Sequence, residues 1–391
     1  MNRPESHHPF LQQPFWDPHQ IPLARPSFTQ VDQAAIAEVV ASGQLCQGER
    51  VARFEASFAE KIGARYGIAT SSGSTAILVS LQAFGLMPED EVIVPDMTFV
   101  STATAAMYLG AQPVFVDITE TDHNIDPEKV GQVVTNKTKG IIAVHYGGNT
   151  ADMERLRTIA AERNLFLLED AAGAHLSKYK DVGYAGTLGD AAIFSFTPTK
   201  PMTVGEGGMI TTNDLQFAEK CRQIRNFGDR KKFEWQVLGF NFRMTEMAAA
   251  LGLCQLERLD EFIESRRDQA SYYNEAFKDS VHIKTPNIQN HQKTNYQIYP
   301  VSIEVEQLTI SRNEIIEKLA AEGIASRLYY PALHKMAVFS HEKKNWSSED
   351  FPYSLDFEKR SLALPLFFDM TELQQSFVCR KLKEIVEKYQ R

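Results

Sequence analysis

The sequence lacks the features of disulfide-stabilised, metal-binding and membrane-spanning chains. Its four cysteines lie far apart, without the short paired spacings of zinc or redox sites. No stretch approaches the roughly 18 uncharged residues of a membrane span, and the polar N-terminus contains no apolar core of signal-peptide length. We therefore expect reduced thiols, no metal, no membrane partner and a cytoplasmic location.

The sequence also lacks a concentration of positive charge. The formal net charge of −9 is spread along the chain, with no long basic stripe to neutralise a phosphate backbone, so nucleic acid is not expected as a partner. Apolar residues at 43% and charged residues at 23% are typical of ordinary globular proteins. At 391 residues the chain is too long for one small core and can enclose a deep site.

Seven short apolar runs, separated mostly by helix-length segments, predict the strands of a mainly parallel sheet. They are YGIAT (66–70), EVIV (91–94), PVFV (113–116), GIIAV (140–144), LFLLE (165–169), AAIFSF (191–196) and GMITT (208–212). The connection between the last two is too short for a full helix, so an antiparallel strand is allowed there. The predicted class is α/β.

Apolar residues at helical spacing predict helices over residues 31–42 and 52–63, before the sheet. After the sheet, residues 244–277 predict a helix long enough to connect two domains, and residues 372–389 predict a closing amphipathic helix. We predict an N-terminal arm over residues 1–30, a large α/β domain over 31–255 and a smaller α+β domain over 256–391.

Asp170 ends a short, mostly apolar strand in LFLLEDAAGAH. In open parallel sheets, ligands bind at the carboxyl ends of strands, and a carboxylate there can pair with a cationic group of a cofactor. Taken alone, Glu169 and Asp170 are explained better as the end of a strand and the cap of a turn.

Lys200 strengthens the chemical interpretation because it follows the next strand, together with Ser195 and a glycine-rich turn, in SFTPTKPMTVGEGGM. Desolvation and a nearby cation would depress the pKa of Lys200 and supply the neutral amine that imine formation needs. The alternative is a surface lysine beside a proline-containing loop. The pairing with Asp170 favours the chemical role.

A third element, ATSSGSTAILVSL, places small hydroxyl residues and a glycine between a strand and a helix that begins near Ser74. Backbone amides at a helix N-terminus suit a phosphate group, although an ordinary serine cap explains the same pattern. The segment carries neither a GK[ST] ending nor a GxGxxG pattern, so a single phosphate monoester fits better than a nucleotide.

With these motifs in place, the chain resembles the DegT/DnrJ/StrS sugar aminotransferases, a family of fold-type I pyridoxal-phosphate enzymes. The resemblance extends from IPLARPSF (21–28) to LALPLF (362–367) and includes EDAAGAH, FSFTPTK with GEGGM, GFNFRMTEMAAALG and RLYYPALH, in the family's order. It implies a large seven-stranded, mostly parallel sheet domain with a smaller C-terminal α+β domain, and pyridoxal 5'-phosphate as cofactor.

The resemblance also implies roles for individual residues. Lys200 would form the Schiff base with the cofactor, and Asp170 would hydrogen-bond the pyridine nitrogen. Phe99 would stack on the ring. The phosphate would be held by Ser195 and the backbone of Gly73 and Ser74, with Asn241 reaching it from the partner subunit of a homodimer with shared active sites.

The sequence departs from the family at Gly173, where a glutamine that contacts the cofactor's ring hydroxyl is common. Which group replaces it is open. His175, Tyr330 and His334 lie in motifs near the family's active site, and packing or capping roles explain them equally well.

The implied reaction moves an amino group from L-glutamate to a keto sugar, expected to be nucleotide-linked, for amino sugar biosynthesis. An acceptor that is a cyclitol precursor is an alternative. A second is a sugar dehydratase that uses the same cofactor, but such enzymes resemble this chain with histidine in place of Lys200. The sugar, its nucleotide and the carbon that is aminated are not determined by these motifs.

Overall fold

The computed structural model describes residues 20–231, 233–289, 292–340 and 346–391, so most of the predicted N-terminal arm, residues 1–19, lies outside the described part. The helices are α1 Gln30–Ser42, α2 Glu49–Ile62, α3 Gly73–Phe84, α4 Ser101–Met107, α5 Pro127–Val133, α6 Met153–Arg163, α7 Leu215–Arg225, α8 Glu246–Glu257, α9 Leu259–Phe277, α10 Arg312–Ala321, α11 Pro352–Arg360 and α12 Glu372–Lys388. The strands are β1 Tyr66–Thr70, β2 Glu91–Pro95, β3 Gln112–Val116, β4 Thr138–Val144, β5 Phe166–Asp170, β6 Lys178–Tyr179, β7 Gly183–Tyr184, β8 Ala191–Ser195, β9 Gly208–Thr212, β10 Ile283–Lys284, β11 Gln292–Lys293, β12 Tyr299–Ile303 and β13 Ser361–Leu364.

The large sheet has seven strands in the order β1-β9-β8-β5-β4-β2-β3. Strand β9 runs antiparallel to both β1 and β8, whereas the other pairings are parallel. The seven predicted runs form these strands, with ends shifted by a residue or two, and the α/β prediction is confirmed. The short β8–β9 connection is where the antiparallel strand was allowed.

Alternating side chains of the large sheet enter cores on its two faces. Val92 and Val94 of β2 pack into the core that contains α3 and α7, while Ile93 between them packs against α5 and α6 on the other face. A strand whose successive side chains are all buried must be covered on both faces, which explains its unbroken apolar sequence.

A smaller antiparallel sheet, β10-β12-β13, packs with α9, α10 and α12 around a separate core. A third sheet joins β11, β6 and β7, and so connects residues near 292 to the segment that follows β5. Within the described ranges, no helix combines the length and apolarity that a membrane crossing requires.

The long helix predicted over residues 244–277 is interrupted at Arg258, which is a correction to the sequence analysis. The structure has α8 and α9 instead, and Arg258 between them has φ −96° and ψ 1°. Its guanidinium lies 3.9 Å from Asp32 of α1 and over the ring of Phe262. The contact with Asp32 is tertiary, and helical spacing could not indicate it. The boundary between residues 255 and 256 stays a prediction.

Candidate active site

A cavity of about 320 Å³ opens at the carboxyl ends of β1, β2, β4, β5 and β8. This is the edge of an open sheet at which ligands collect. Of the seven residues predicted for the site, six line the cavity: Gly73, Ser74, Phe99, Asp170, Ser195 and Lys200. Residues that are distant in sequence therefore meet as expected.

Asp170 is buried at the base of the cavity, as the last residue of β5. Its Oδ2 accepts a hydrogen bond of 2.7 Å from the hydroxyl of Thr102, at the start of α4. Its Oδ1 accepts one of 3.1 Å from the N–H of Ala172. The carboxylate is held in one orientation while it still faces the cavity, since a carboxylate can accept further hydrogen bonds.

Lys200 reaches the same cavity from the loop that follows β8. Burial lowers the pKa of its amine from 10.5 to about 8, an effect that the Asp170 carboxylate opposes and the Arg327 guanidinium reinforces. Desolvation disfavours the charged form of an amine. A substantial fraction of Lys200 is therefore neutral near physiological pH.

The N-terminus of α3 forms the polar end of the cavity. Ser72 caps the helix and accepts from the N–H of Thr75 at 3.1 Å. The first N–H groups of a helix have no partner within the helix and favour an anion. A Cβ on Gly73 would come within 2.8 Å of Ser195 Cβ, so glycine permits the hydroxyl of β8 to approach the helix start. Ser74 donates to Ser101 at 2.7 Å.

Phe99 presents an aromatic face to the cavity. Its side chain is 52% exposed, which is unusual for phenylalanine, and its ring centroid lies 5.8 Å from that of Tyr330, another lining residue. An aromatic ring left open at a cavity wall suits a flat ligand.

Asn241 is the one predicted site residue that lies outside the cavity of its own chain. It is exposed, and its Oδ1 accepts from Nε of Arg243 at 3.0 Å. A role across a subunit interface is compatible with this position but stays a prediction.

Several cavity residues were not singled out from the sequence, among them Thr102, His145, Gln297 and Arg327. His145 accepts from the N–H of Ala151 through Nδ1, so its Nε2–H donates to Glu169 at 2.9 Å. The guanidinium of Arg327 donates to the hydroxyl of Tyr329 at 2.5 Å. His145 directly follows the predicted strand GIIAV, and Arg327 begins RLYYPALH, but local spacing could not show which side chains face the cavity.

The structure gives different positions to His175, Tyr330 and His334, whose roles the sequence left open. Tyr330 lines the cavity. His175 is fully buried among Phe58, Phe194 and Phe196, and burial lowers its pKa to about 3. His334 Nδ1 contacts the buried carboxylate of Asp96 at 2.8 Å. Neither histidine is among the lining residues in the described part of the chain.

The donors and walls present fit pyridoxal phosphate. A buried carboxylate for a pyridinium nitrogen, an amine of lowered pKa, an aromatic face and a helix N-terminus all open into one cavity of limited size. Each matches a different group of that cofactor.

Comparison with known proteins decides the family. Residues 26–383 match the model of the DegT/DnrJ/EryC1/StrS aminotransferase family. The chain belongs to this family. It is therefore a pyridoxal-phosphate-dependent aminotransferase of fold type I, as the resemblance implied.

Relatives cover nearly the whole chain. The spore coat polysaccharide biosynthesis protein SpsC of Bacillus subtilis is 34% identical over 94% of this chain and 98% of its own. A GDP-perosamine synthase of Escherichia coli O157:H7 is 33% identical over 93% and 98%. The crystal structure of the aminotransferase TlmJ from Streptoalloteichus hindustanus superposes with a TM-score of 0.88 at 28% identity, covering 94% of this chain and 99% of that one.

Proposed function

We propose that the protein transfers an amino group from L-glutamate to a nucleotide-linked keto sugar, in amino sugar biosynthesis. The observation that carries the proposal is the convergence of Lys200 and Asp170 on one cavity, in a chain of this aminotransferase family. The similarity to a GDP-perosamine synthase supports a nucleotide-linked acceptor.

The residues of the cavity would hold the cofactor at both ends. Asp170, oriented by Thr102, would accept the N–H of the pyridine ring, and Ser195 with the start of α3 would hold the phosphate. Phe99 would pack on the ring face, and Lys200 would provide the covalent attachment. When bound, pyridoxal phosphate supplies an electron sink for the carbon that loses its proton.

Lys200 would move that proton. A general base needs a pKa close to the working pH, and burial brings the pKa of Lys200 to about 8. Its amine would take the proton from the donor carbon in the first half of the reaction. In the second half it would return a proton at the carbon of the sugar that receives the amino group.

Arg327 is the candidate for binding a carboxylate of the donor. It lines the same cavity, and Tyr329 both accepts from its guanidinium and packs under it, with the guanidinium carbon 4.4 Å from the ring centroid. An oriented guanidinium binds a carboxylate through paired hydrogen bonds. A guanidinium in this position supports an amino donor with a free carboxylate, and L-glutamate carries two.

The active sites would be shared within a homodimer. The start of α3 would supply backbone N–H groups to the phosphate, and Asn241 of the partner subunit would add a side-chain donor. The exposure of Asn241 in the single chain is consistent with such a role.

Product analysis tests the function. The protein is incubated with L-glutamate and a panel of nucleotide-linked keto sugars, and the product is identified by mass spectrometry, with Lys200→Ala as the inactive control. We expect an aminated sugar nucleotide and 2-oxoglutarate in equal amounts. Amination of a cyclitol ketone alone, or loss of water from the sugar without amination, would refute the proposal.

A further inference from the structure

The side chain of Gln297 occupies the space beside Gly173. A Cβ built on Gly173 would lie 2.9 Å from Cγ and 2.9 Å from Oε1 of Gln297. Gly173 does not have the positive φ that would exclude a side chain from its backbone. The three nearest atoms that such a Cβ would meet all belong to Gln297, so a side chain at 173 and the present position of Gln297 exclude each other.

Hydrogen bonds to both the N–H and the carbonyl of Gln297 hold its backbone in place. Its N–H donates to Oδ1 of Asn295 at 2.9 Å, and its carbonyl accepts from the guanidinium of Arg266 at 3.4 Å. Asn295 in turn donates through Nδ2 to the carbonyls of Gly173 and His175, each at 2.8 Å. The segment that carries Gln297 is thus attached directly to the loop after β5.

The carboxamide of Gln297 has a donor available for a ligand. Its Nε2 donates to the carbonyl of Thr199, beside Lys200, at 3.2 Å. Because a carbonyl oxygen can only accept, the carboxamide must turn its NH2 group, and not its oxygen, towards Thr199. An amide nitrogen has two hydrogens, and Gln297 lines the cavity. Among the described residues the second N–H has no acceptor, so it is available to the occupant of the cavity.

The order of the strands shows which part of the cofactor this donor would meet. In pyridoxal phosphate, the phosphate arm and the phenolic oxygen flank the aldehyde carbon on opposite sides. The proposed phosphate site lies after β1 and β8, so the phenolic oxygen would face the loops after β5 and β4. On that side His145 donates to Glu169 and the Tyr146 hydroxyl donates to the Tyr329 carbonyl, so both donors are already used.

We propose that Gln297 donates a hydrogen bond to the phenolic oxygen of the cofactor, from a position that the missing side chain at Gly173 leaves open. The inference rests on the proposed placement of the cofactor between Asp170 and Lys200. It makes Gln297 a cofactor-binding residue supplied by the segment before β12 rather than by the loop after β5.

The test uses the holoprotein without donor or sugar. The pKa read from the visible absorption band is that of the Schiff-base nitrogen, whose proton is stabilised by the anionic phenolic oxygen. A donor to that oxygen weakens this stabilisation, so Gln297→Ala should raise the pKa by about 1. The dissociation constant of pyridoxamine phosphate, which binds without a covalent bond, should increase about tenfold. Gln375→Ala is the matched control, because Gln375 is also buried and donates one hydrogen bond, to Gln269, within the smaller core.

An exchange of side chains provides the decisive comparison. Gly173→Gln alone should weaken pyridoxamine phosphate binding because it collides with Gln297. Combined with Gln297→Ala, it should return the dissociation constant to within about threefold of wild type and the spectroscopic pKa to within about 0.5 of the wild-type value. Recovery of this kind would not follow from a purely structural role of Gln297.

The inference is overturned if Gln297→Ala titrates like wild type, or if the exchange variant is no better than the single variants while both remain folded. Neither result would touch the proposed sugar substrate, since no sugar is present. A wild-type protein without any visible band would overturn both the inference and the cofactor placement.

Discussion

The pKa of Lys200 makes a quantitative prediction about the uptake of pyridoxal phosphate by the apoprotein. Only a neutral amine attacks the aldehyde. With a pKa of about 8, roughly one tenth of the chains carry that amine at pH 7. For a lysine of pKa 10.5, the corresponding fraction is roughly one in 3,000.

The assay is stopped-flow absorbance of apoprotein mixed with pyridoxal phosphate between pH 6 and 11. Each rate is divided by that of a small amine of known pKa, which removes the titration of the aldehyde itself. The neutral fraction of Lys200 calculated from these ratios should reach a plateau, with its midpoint near 8. Lys200→Ala should lose the capture phase entirely.

Two variants check the cause of the shift because they act in opposite directions. Arg327 lowers the pKa of Lys200 and Asp170 raises it. Arg327→Gln should therefore move the midpoint to higher pH, and Asp170→Asn should move it lower. The electrostatic explanation of the lowered pKa would be refuted if the calculated neutral fraction kept rising above pH 10. It would also be refuted if both variants shifted the midpoint in the same direction.

Three further predictions concern the proposed site. Borohydride reduction of the holoprotein followed by peptide mapping should place the pyridoxyl group on Lys200, and its recovery on another lysine would contradict the assignment. Asp170→Asn should still bind cofactor but transaminate roughly a thousandfold or more slowly in single-turnover assays, because the ring nitrogen loses its charged partner; near-normal turnover would exclude the role. Mixing inactive Lys200→Ala with inactive Asn241→Asp should restore roughly a quarter of wild-type activity after subunit exchange, because half of the dimers then contain one intact shared site. Verified heterodimers without activity would reduce Asn241 to a turn residue.

The strands and the position of Asp170 could be predicted because their signals are local. A strand buried on both faces shows an unbroken apolar run, and the residue that ends it lies at the edge where ligands bind. The same argument applies to Ser195, which ends the next strand of the large sheet along the chain, and to Lys200, which follows it. The start of α3 was visible for a similar reason, since serine caps and glycine occur at fixed offsets from a helix.

The break at Arg258 and the support of Asp170 by Thr102 could not be predicted in this way. Arg258 contacts Asp32 of another helix, and Thr102 and Asp170 are 68 positions apart. The contact between Thr102 and Asp170, for example, depends on how the sheet positions α4 relative to β5. Helical spacing continues through Arg258, so the apolar pattern alone does not show the interruption.

Gly173 shows the same division between local and tertiary information. The sequence by itself determined that a side chain common in the family is absent there, and it predicted a cofactor site at the end of β5. Only the tertiary structure decided that Gln297, from the segment before the smaller sheet, fills the space. The physical reason is that the spacing of apolar residues indicates which face of a strand or helix is buried. A donor supplied by a distant segment depends instead on the packing between elements, which no local pattern encodes.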